Sequence, residues 1–139
     1  DAMARVIDAD YREYDDLALS VPDAGGLVLV PYFEGERTPN LPDATAELRG
    51  MTLANSDRAH VARAGVEGLL DLMRGALDAV RALGVPIGRV LMVGGGARST
   101  AVQALAPQRL GVEVALPEPG EYVALGAARQ AAGVLEQGS

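Results

Sequence analysis

The sequence predicts an α/β fold, and three observations carry that expectation. Short apolar runs at Leu27 to Val30, Arg89 to Val93 and Val112 to Leu116 have the length of buried strands. Between and before them lie stretches whose apolar residues recur at helical spacing. In the second half the order is strand, helix, strand, helix, which implies a parallel pair joined by a right-handed crossover.

Residues 1–19 read as one amphipathic helix, with Met3, Val6, Ile7, Tyr14, Leu17 and Ala18 near helical spacing. Ser20, Pro22, Gly25 and Gly26 break it, and Leu27 to Val30 follows as a strand. Pro31 to Pro42 is a loop by its turn formers, and Ala46 to Leu53 has room for a short extended piece. Asn55, Ser56 and Asp57 then offer N-cap chemistry for the longest helix, about Asp57 to Leu83. Its apolar stripe is Ala62, Val66, Leu69, Leu70, Met73, Leu77 and Val80. Arg63, Glu67, Asp71, Arg74, Asp78 and Arg81 form a polar ladder, and Arg63 and Glu67, one turn apart, read as a structural ion pair. Gly84 and Pro86 end the helix. A helix from about Ser99 to Arg109 and a last one from about Glu121 to Leu135 complete the second half.

Composition narrows the function. The 139 residues suffice for one domain, and 49% hydrophobic content is globular. No apolar run approaches the ~20 residues needed to cross a bilayer, and Asp1 to Val6 do not begin a signal peptide. A net charge of −7 argues against nucleic acid and anionic membrane as partners, so any phosphate must be held by backbone amides or single arginines. The absence of cysteine is compatible with a cytoplasmic location. All 12 basic residues are arginine, which excludes a lysine-bearing phosphate loop and Schiff-base chemistry. The single histidine, His60, argues against a multi-histidine metal site.

The sharpest local feature is Val90-Leu91-Met92-Val93-Gly94-Gly95-Gly96-Ala97-Arg98-Ser99-Thr100. A strand ends in three glycines and a helix begins. Glycine allows close backbone approach to a ligand, and a helix N-terminus favours anions. The plainer reading, glycines required only by a tight strand–helix turn, stands beside it. In Pro117 to Ala128, Ala124, Gly126, Ala127 and Ala128 make a small-residue face suited to close helix packing.

Together with Pro31-Tyr32-Phe33-Glu34-Gly35-Glu36-Arg37-Thr38-Pro39, Arg49-Gly50-Met51-Thr52-Leu53 and Arg58 to Gly68, these segments resemble the C-terminal domain of the FGGY carbohydrate kinases. The resemblance runs from about Gly26 to Ala132, and is nearest to the branch that acts on xylulose. Gly65 departs from it, standing where that pattern usually has a larger residue.

The resemblance implies a partial ribonuclease-H-like domain of the actin/hexokinase type, with a short mixed sheet flanked by helices. It implies a single partial nucleotide-side domain over residues 1–139, with the sugar-binding domain and its catalytic aspartate absent, and so no catalytic residue here. The cofactors implied for a full-length enzyme are ATP and Mg2+, with no metal ligand in this chain; the partners are ATP or ADP, and sugar only when the missing domain is present. By motif, Gly94, Gly95, Gly96, Ala97, Ser99 and Thr100 are the nucleotide-binding candidates, with Gly95, Gly96 and Ala97 against adenosine and the α-phosphate. Thr100 stands near where some relatives place an asparagine that touches adenine. The implied reaction is transfer of the ATP γ-phosphate to xylulose, giving xylulose 5-phosphate, with the isolated chain inactive. Alternatives are a kinase of the same family acting on glycerol, ribulose or another polyol, and a non-catalytic nucleotide-binding module. Arg37 and Thr38 are candidates for the cleft side, unless Arg37 only pairs with Glu34 or Glu36. His60 is either a helix-start side chain near the cleft or a satisfied structural histidine. Open strand edges predict association into a homodimer.

Overall fold

The computed structural model describes residues 2–35, 40–93 and 95–116. The expected helix over Glu121 to Leu135, the Pro117 to Ala128 segment, Arg37, Thr38 and Gly94 lie outside the described residues.

The single helix expected at the start is two: α1, Ala2–Val6, and α2, Tyr11–Leu19. The break has a local cause. Asp8 adopts a left-handed conformation (φ 53°), which aspartate tolerates better than most side chains. Asp10 then caps α2, its carboxylate accepting the Glu13 amide at 2.8 Å. Cap chemistry at Asp10 overrides the apolar periodicity that runs through it.

β1, Val28–Val30, pairs antiparallel with β2, Glu47–Arg49, in the register Leu29↔Leu48. The buried side chain of Asn55 ties the loops around this pair. Its Oδ1 accepts the Thr52 amide at 2.7 Å, and its Nδ2 donates to the carbonyls of Gly25 and Gly50 at 3.0 and 2.9 Å. Every polar atom of that amide is thereby engaged, as a buried amide requires.

α3, Arg58–Ala82, follows the expected bounds closely and is capped by Asp57. It packs against α1, α2, α4 (Thr100–Leu110) and β1. Ala62, Val66 and Leu70 of the expected stripe are buried, while Leu69 and Val80 remain 40% exposed. The buried surface is broadened instead by two glycines. A Cβ at Gly68 would stand 2.8 Å from the Leu29 carbonyl oxygen of β1, and one at Gly65 would fall on the Tyr14 hydroxyl of α2. Two strand-bearing and helix-bearing layers thus approach α3 where it has no side chain.

The polar ladder of α3 turns partly inward. Arg63 and Glu67 side chains are only 12% and 16% exposed and meet at 3.1 Å. Arg63 also donates to the carbonyls of Ala18, Val21 and Pro22 at 2.9–3.3 Å, groups left open where α2 ends. On the far side Arg109 of α4 forms a two-pronged pair with Asp71 (2.7 and 2.8 Å) and approaches Glu67 at 3.8 Å.

β3, Arg89–Leu91, and β4, Glu113–Ala115, form the expected parallel pair, with Val90 opposite Val114. α4 is the crossover between them, ended by Gly111 in the left-handed conformation (φ 68°). The mixed sheet therefore takes the form of two separate pairs among the described residues. One core joins them, centred on Tyr14, Leu27, Leu29, Ala62, Val66, Leu70, Val102, Ala106 and Leu110. No described helix is long and apolar enough to cross a membrane.

Helix propensity alone favours alanine over glycine at position 65 by about 1 kcal/mol. The collision with Tyr14 has the opposite sign, and overpacking of this kind costs about 1–3 kcal/mol. We therefore expect Gly65→Ala to lower the stability to chemical denaturation, and Tyr14→Phe combined with Gly65→Ala to regain most of the loss. A single Gly65→Ala variant as stable as the parent would show that the close contact is not a constraint.

Candidate functional site

The site is built at the end of β3. Met92 is buried, and its amide donates to the Ala115 carbonyl at 3.0 Å, which extends the parallel pair to the edge of the turn. Gly95–Arg98 make one turn of 3-10 helix, and Ser99 caps α4, its Oγ accepting the Val102 amide at 3.1 Å. Two contacts brace the turn on its protein side. The Ser99 amide donates to the Gly96 carbonyl at 3.2 Å, and Gln103 Nε2 donates to the Ala97 carbonyl at 2.6 Å.

Gly96 separates the two readings of the glycine run. Its φ lies outside the left-handed region, and a Cβ added there would meet no atom of the described residues within 4 Å. Neither backbone conformation nor packing among the described residues therefore requires glycine at this position. What its bare face leaves is room on the exposed side of the turn.

A hollow of about 810 Å³ lies beside that face. Gly96, Arg98 and Ser99 form one wall, Tyr11, Tyr14 and Asp15 another, and Leu29, Phe33, Leu69 and Val102 contribute apolar surface. Arg98 is exposed and makes no ion pair among the described residues. It is the cation closest in sequence to the turn.

Ser99 and Thr100 face a protein carboxylate. Ser99 Oγ donates to Asp15 Oδ1 at 2.7 Å, and Asp15 Oδ2 accepts the Thr100 amide at 3.0 Å and the Thr100 hydroxyl at 3.3 Å. The positive end of α4 thus already carries an anion, supplied by α2. Of the residues singled out from the sequence, Gly95, Gly96 and Ala97 share the turn, Ser99 and Thr100 are engaged by Asp15, and Gly94 lies outside the described residues. Asp15 and Arg98 were not assigned a role from the sequence. Asp15 gave no signal, being one acidic residue among several on an amphipathic helix, 84 positions from Ser99. Arg98 was legible as the one cation within the glycine segment.

His60 sits at the start of α3 with Nδ1 at 2.8 Å from both oxygens of its cap, Asp57, and its ring against Gly25. The Asp57 carboxyl is held below the usual carboxylate range, chiefly by the His60 backbone amide and then by the His60 ring. That geometry is of a satisfied structural histidine. Among the described residues no three His, Cys, Asp or Glu side chains converge as a metal site.

Comparison with known proteins identifies the class. Residues 2–134 match the FGGY family of carbohydrate kinases, C-terminal domain, and the chain belongs to that family. A xylulose kinase of Streptomyces coelicolor is 42% identical over 110 residues, which cover 78% of this chain and 23% of that protein. The crystal structure of xylulose kinase from Bifidobacterium adolescentis superposes with a TM-score of 0.84 at 53% identity, covering 98% of this chain and 27% of that one. A Plasmodium falciparum glycerol kinase with ADP superposes with a TM-score of 0.76 at 25% identity, over 89% of this chain and 25% of that one. The fold is accordingly the actin/hexokinase type, and the chain spans about a quarter of the length of these relatives.

Tyr14, on the wall of the hollow, is 5% exposed. Burial first and the Asp15 charge second push its phenol up from 10.0 to about 12. The folded state then keeps a proton that the unfolded state releases, so this contribution is intact below pH 10 and is lost as pH rises toward 12. Two units correspond to about 2–3 kcal/mol. Spectrophotometric titration should show a late tyrosine phase that is absent in Tyr14→Phe; a late phase that survives the substitution would assign it elsewhere.

Proposed function

We propose that this chain is the nucleotide-side, C-terminal portion of an ATP-dependent sugar kinase that transfers the γ-phosphate of ATP to xylulose, giving xylulose 5-phosphate. The observation that carries the reading is Gly96: a glycine on an exposed turn at the tip of a parallel strand, needed neither for φ nor for packing among the described residues. A ligand that presses on the backbone gives that bare face a purpose, and the carboxyl ends of parallel strands are where α/β folds bind ligands. The kinship with xylulose kinases supports the choice of sugar, and that with a glycerol kinase bearing ADP supports the nucleotide.

In this reading Gly94, Gly95, Gly96 and Ala97 bring backbone to the adenosine and α-phosphate, and Arg98 supplies positive charge at the rim. Ser99 and Thr100 act one step back, opening α4 and fixing the turn through Asp15. Phosphoryl transfer depends on positioning and electrostatic stabilisation, so the task of this domain is to hold the nucleotide still. Mg2+ enters with the phosphates; the described residues offer it no three-ligand cluster of their own. The sugar pocket and the catalytic aspartate belong to the N-terminal part of such a kinase, outside residues 1–139. A kinase of the family acting on glycerol is the second reading, favoured by the ADP-bearing structural neighbour.

The test is calorimetry with ATP on this chain and on two variants. Gly96→Ala and Gly96→Val should leave stability within about 0.5 kcal/mol, the usual range for an open surface site, yet weaken ATP binding at least several-fold, valine more than alanine. Binding that is the same in all three proteins would remove the turn from the site. Xylulose should not be phosphorylated by residues 1–139 alone, and measured turnover would overturn the assignment of the base and sugar pocket to another domain.

A further inference from the structure

We propose that Asp15 is a positioning residue for the glycine turn: a built-in anion that clamps the start of α4 and so sets the conformation in which Gly95, Gly96 and Ala97 meet a nucleotide. The proposal rests on the nucleotide reading of that turn.

The geometry has three parts. Asp15 satisfies three donors at the junction of turn and helix: the Ser99 hydroxyl, the Thr100 amide and the Thr100 hydroxyl. The Ser99 hydroxyl is at the same time the cap of α4, accepting the Val102 amide, so Asp15 orients the cap itself. The Ser99 amide in turn holds the carbonyl of Gly96, the residue whose exposed face is left bare. Asp15 is therefore connected to Gly96 by hydrogen bonds through a single intervening residue.

The carboxylate can perform this work because its own helix is fixed. α2 is seated on α3 through Tyr14 against Gly65, and Arg63 closes its C-terminal carbonyls. Asp15 follows Tyr14 directly. Its position is thus set by α3, and it transmits that position to the turn. The pairing also takes up donors at the N-terminus of α4: the Thr100 amide and the Ser99 and Thr100 hydroxyls. A nucleotide phosphate is left to the turn amides and Arg98.

The experiment uses 15N-labelled protein, with amide hydrogen exchange measured without ligand and ADP titrated by chemical shift, on wild type, Asp15→Ala and Asp15→Asn. Asp15→Ala should accelerate exchange at Ser99, Thr100 and Val102, whose amide bonds run through the clamp, by about tenfold, the scale of one lost charge-assisted bond, and raise the ADP dissociation constant by a similar factor. Asp15→Asn keeps an acceptor for the Thr100 amide and should stay within about threefold of wild type on both measures. Unchanged exchange at Ser99, Thr100 and Val102 in a folded Asp15→Ala protein overturns the proposal. Faster exchange with unchanged ADP affinity also overturns it, leaving Asp15 as a helix cap alone. If wild type itself shows no ADP-dependent shift at Gly95 to Ala97, the underlying nucleotide reading fails, and that outcome is seen before any variant is made. Should Asp15→Ala not fold, the comparison of Asp15→Asn with Asp15→Glu decides: a positioning role requires the longer carboxylate, charge intact, to weaken ADP more than the neutral isostere does.

Discussion

The close seating of α2 on α3 is the constraint from which the rest of the arrangement follows. It exists because α3 presents no side chain at Gly65, where the Tyr14 hydroxyl lies. Bringing Tyr14 that near fixes the next residue, Asp15, within hydrogen-bonding distance of the start of α4. The start of α4 in turn defines the end of the glycine turn. A helix-destabilising residue in the middle of the longest helix is thus the origin of the geometry at the site, and its propensity cost of about 1 kcal/mol is the smaller term beside the contact it permits. Gly68 plays the same part for β1, whose Leu29 carbonyl would meet any Cβ at 2.8 Å.

The polar side of α3 adds direction to that packing. Arg63 gathers carbonyls from the end of α2, Glu67 neutralises Arg63, and Arg109 joins Glu67 and Asp71 to α4. Half-buried ion pairs contribute little net stability when their desolvation is counted. Their value here is geometric. Arg63 is the donor for three carbonyls that α2 and its following loop leave open, and a planar guanidinium can serve them from one position. Its side chain is only 12% exposed and Ala18 is fully buried, so a substitute lacking those donors would leave the Ala18 carbonyl without this partner. The same network therefore sets the angle at which α2 and α4 flank α3.

Sequence patterning reached the regular elements because period and caps are local signals. The longest helix, the parallel pair and the crossover all follow from apolar spacing and from turn residues at their ends, and α3 lies within one residue of the expected bounds. The first helix was misjudged where two local signals conflict: periodicity runs through Asp8 to Asp10, but the cap at Asp10 and the left-handed Asp8 divide it. The Arg63–Glu67 pair was legible from its one-turn spacing, but the carbonyls of residues 18–22 that Arg63 also serves were not, because a helix pattern does not say what packs beside it. The glycine turn was legible as strand, glycines and helix in succession. Asp15 was not, since a contact across 84 positions leaves no periodic trace.

Charge explains why the site takes this form. A chain of net charge −7 without lysine has no basic field with which to attract a polyanion. What it has is oriented backbone, and two helix-derived donor groups compete for that role at one place: the turn amides and the N-terminus of α4. An unfilled helix N-terminus carries about half a positive charge and would draw phosphate toward itself. With Asp15 bound there, the Thr100 amide and the Ser99 and Thr100 hydroxyls are engaged within the protein, and Arg98 stands exposed beside the turn. An acidic residue near an anion site looks like a fault in the electrostatics. Placed against the helix end and hydrogen-bonded three times, it removes a competing register for the phosphate, and the repulsion it exerts is offset in part by the dipole that holds it.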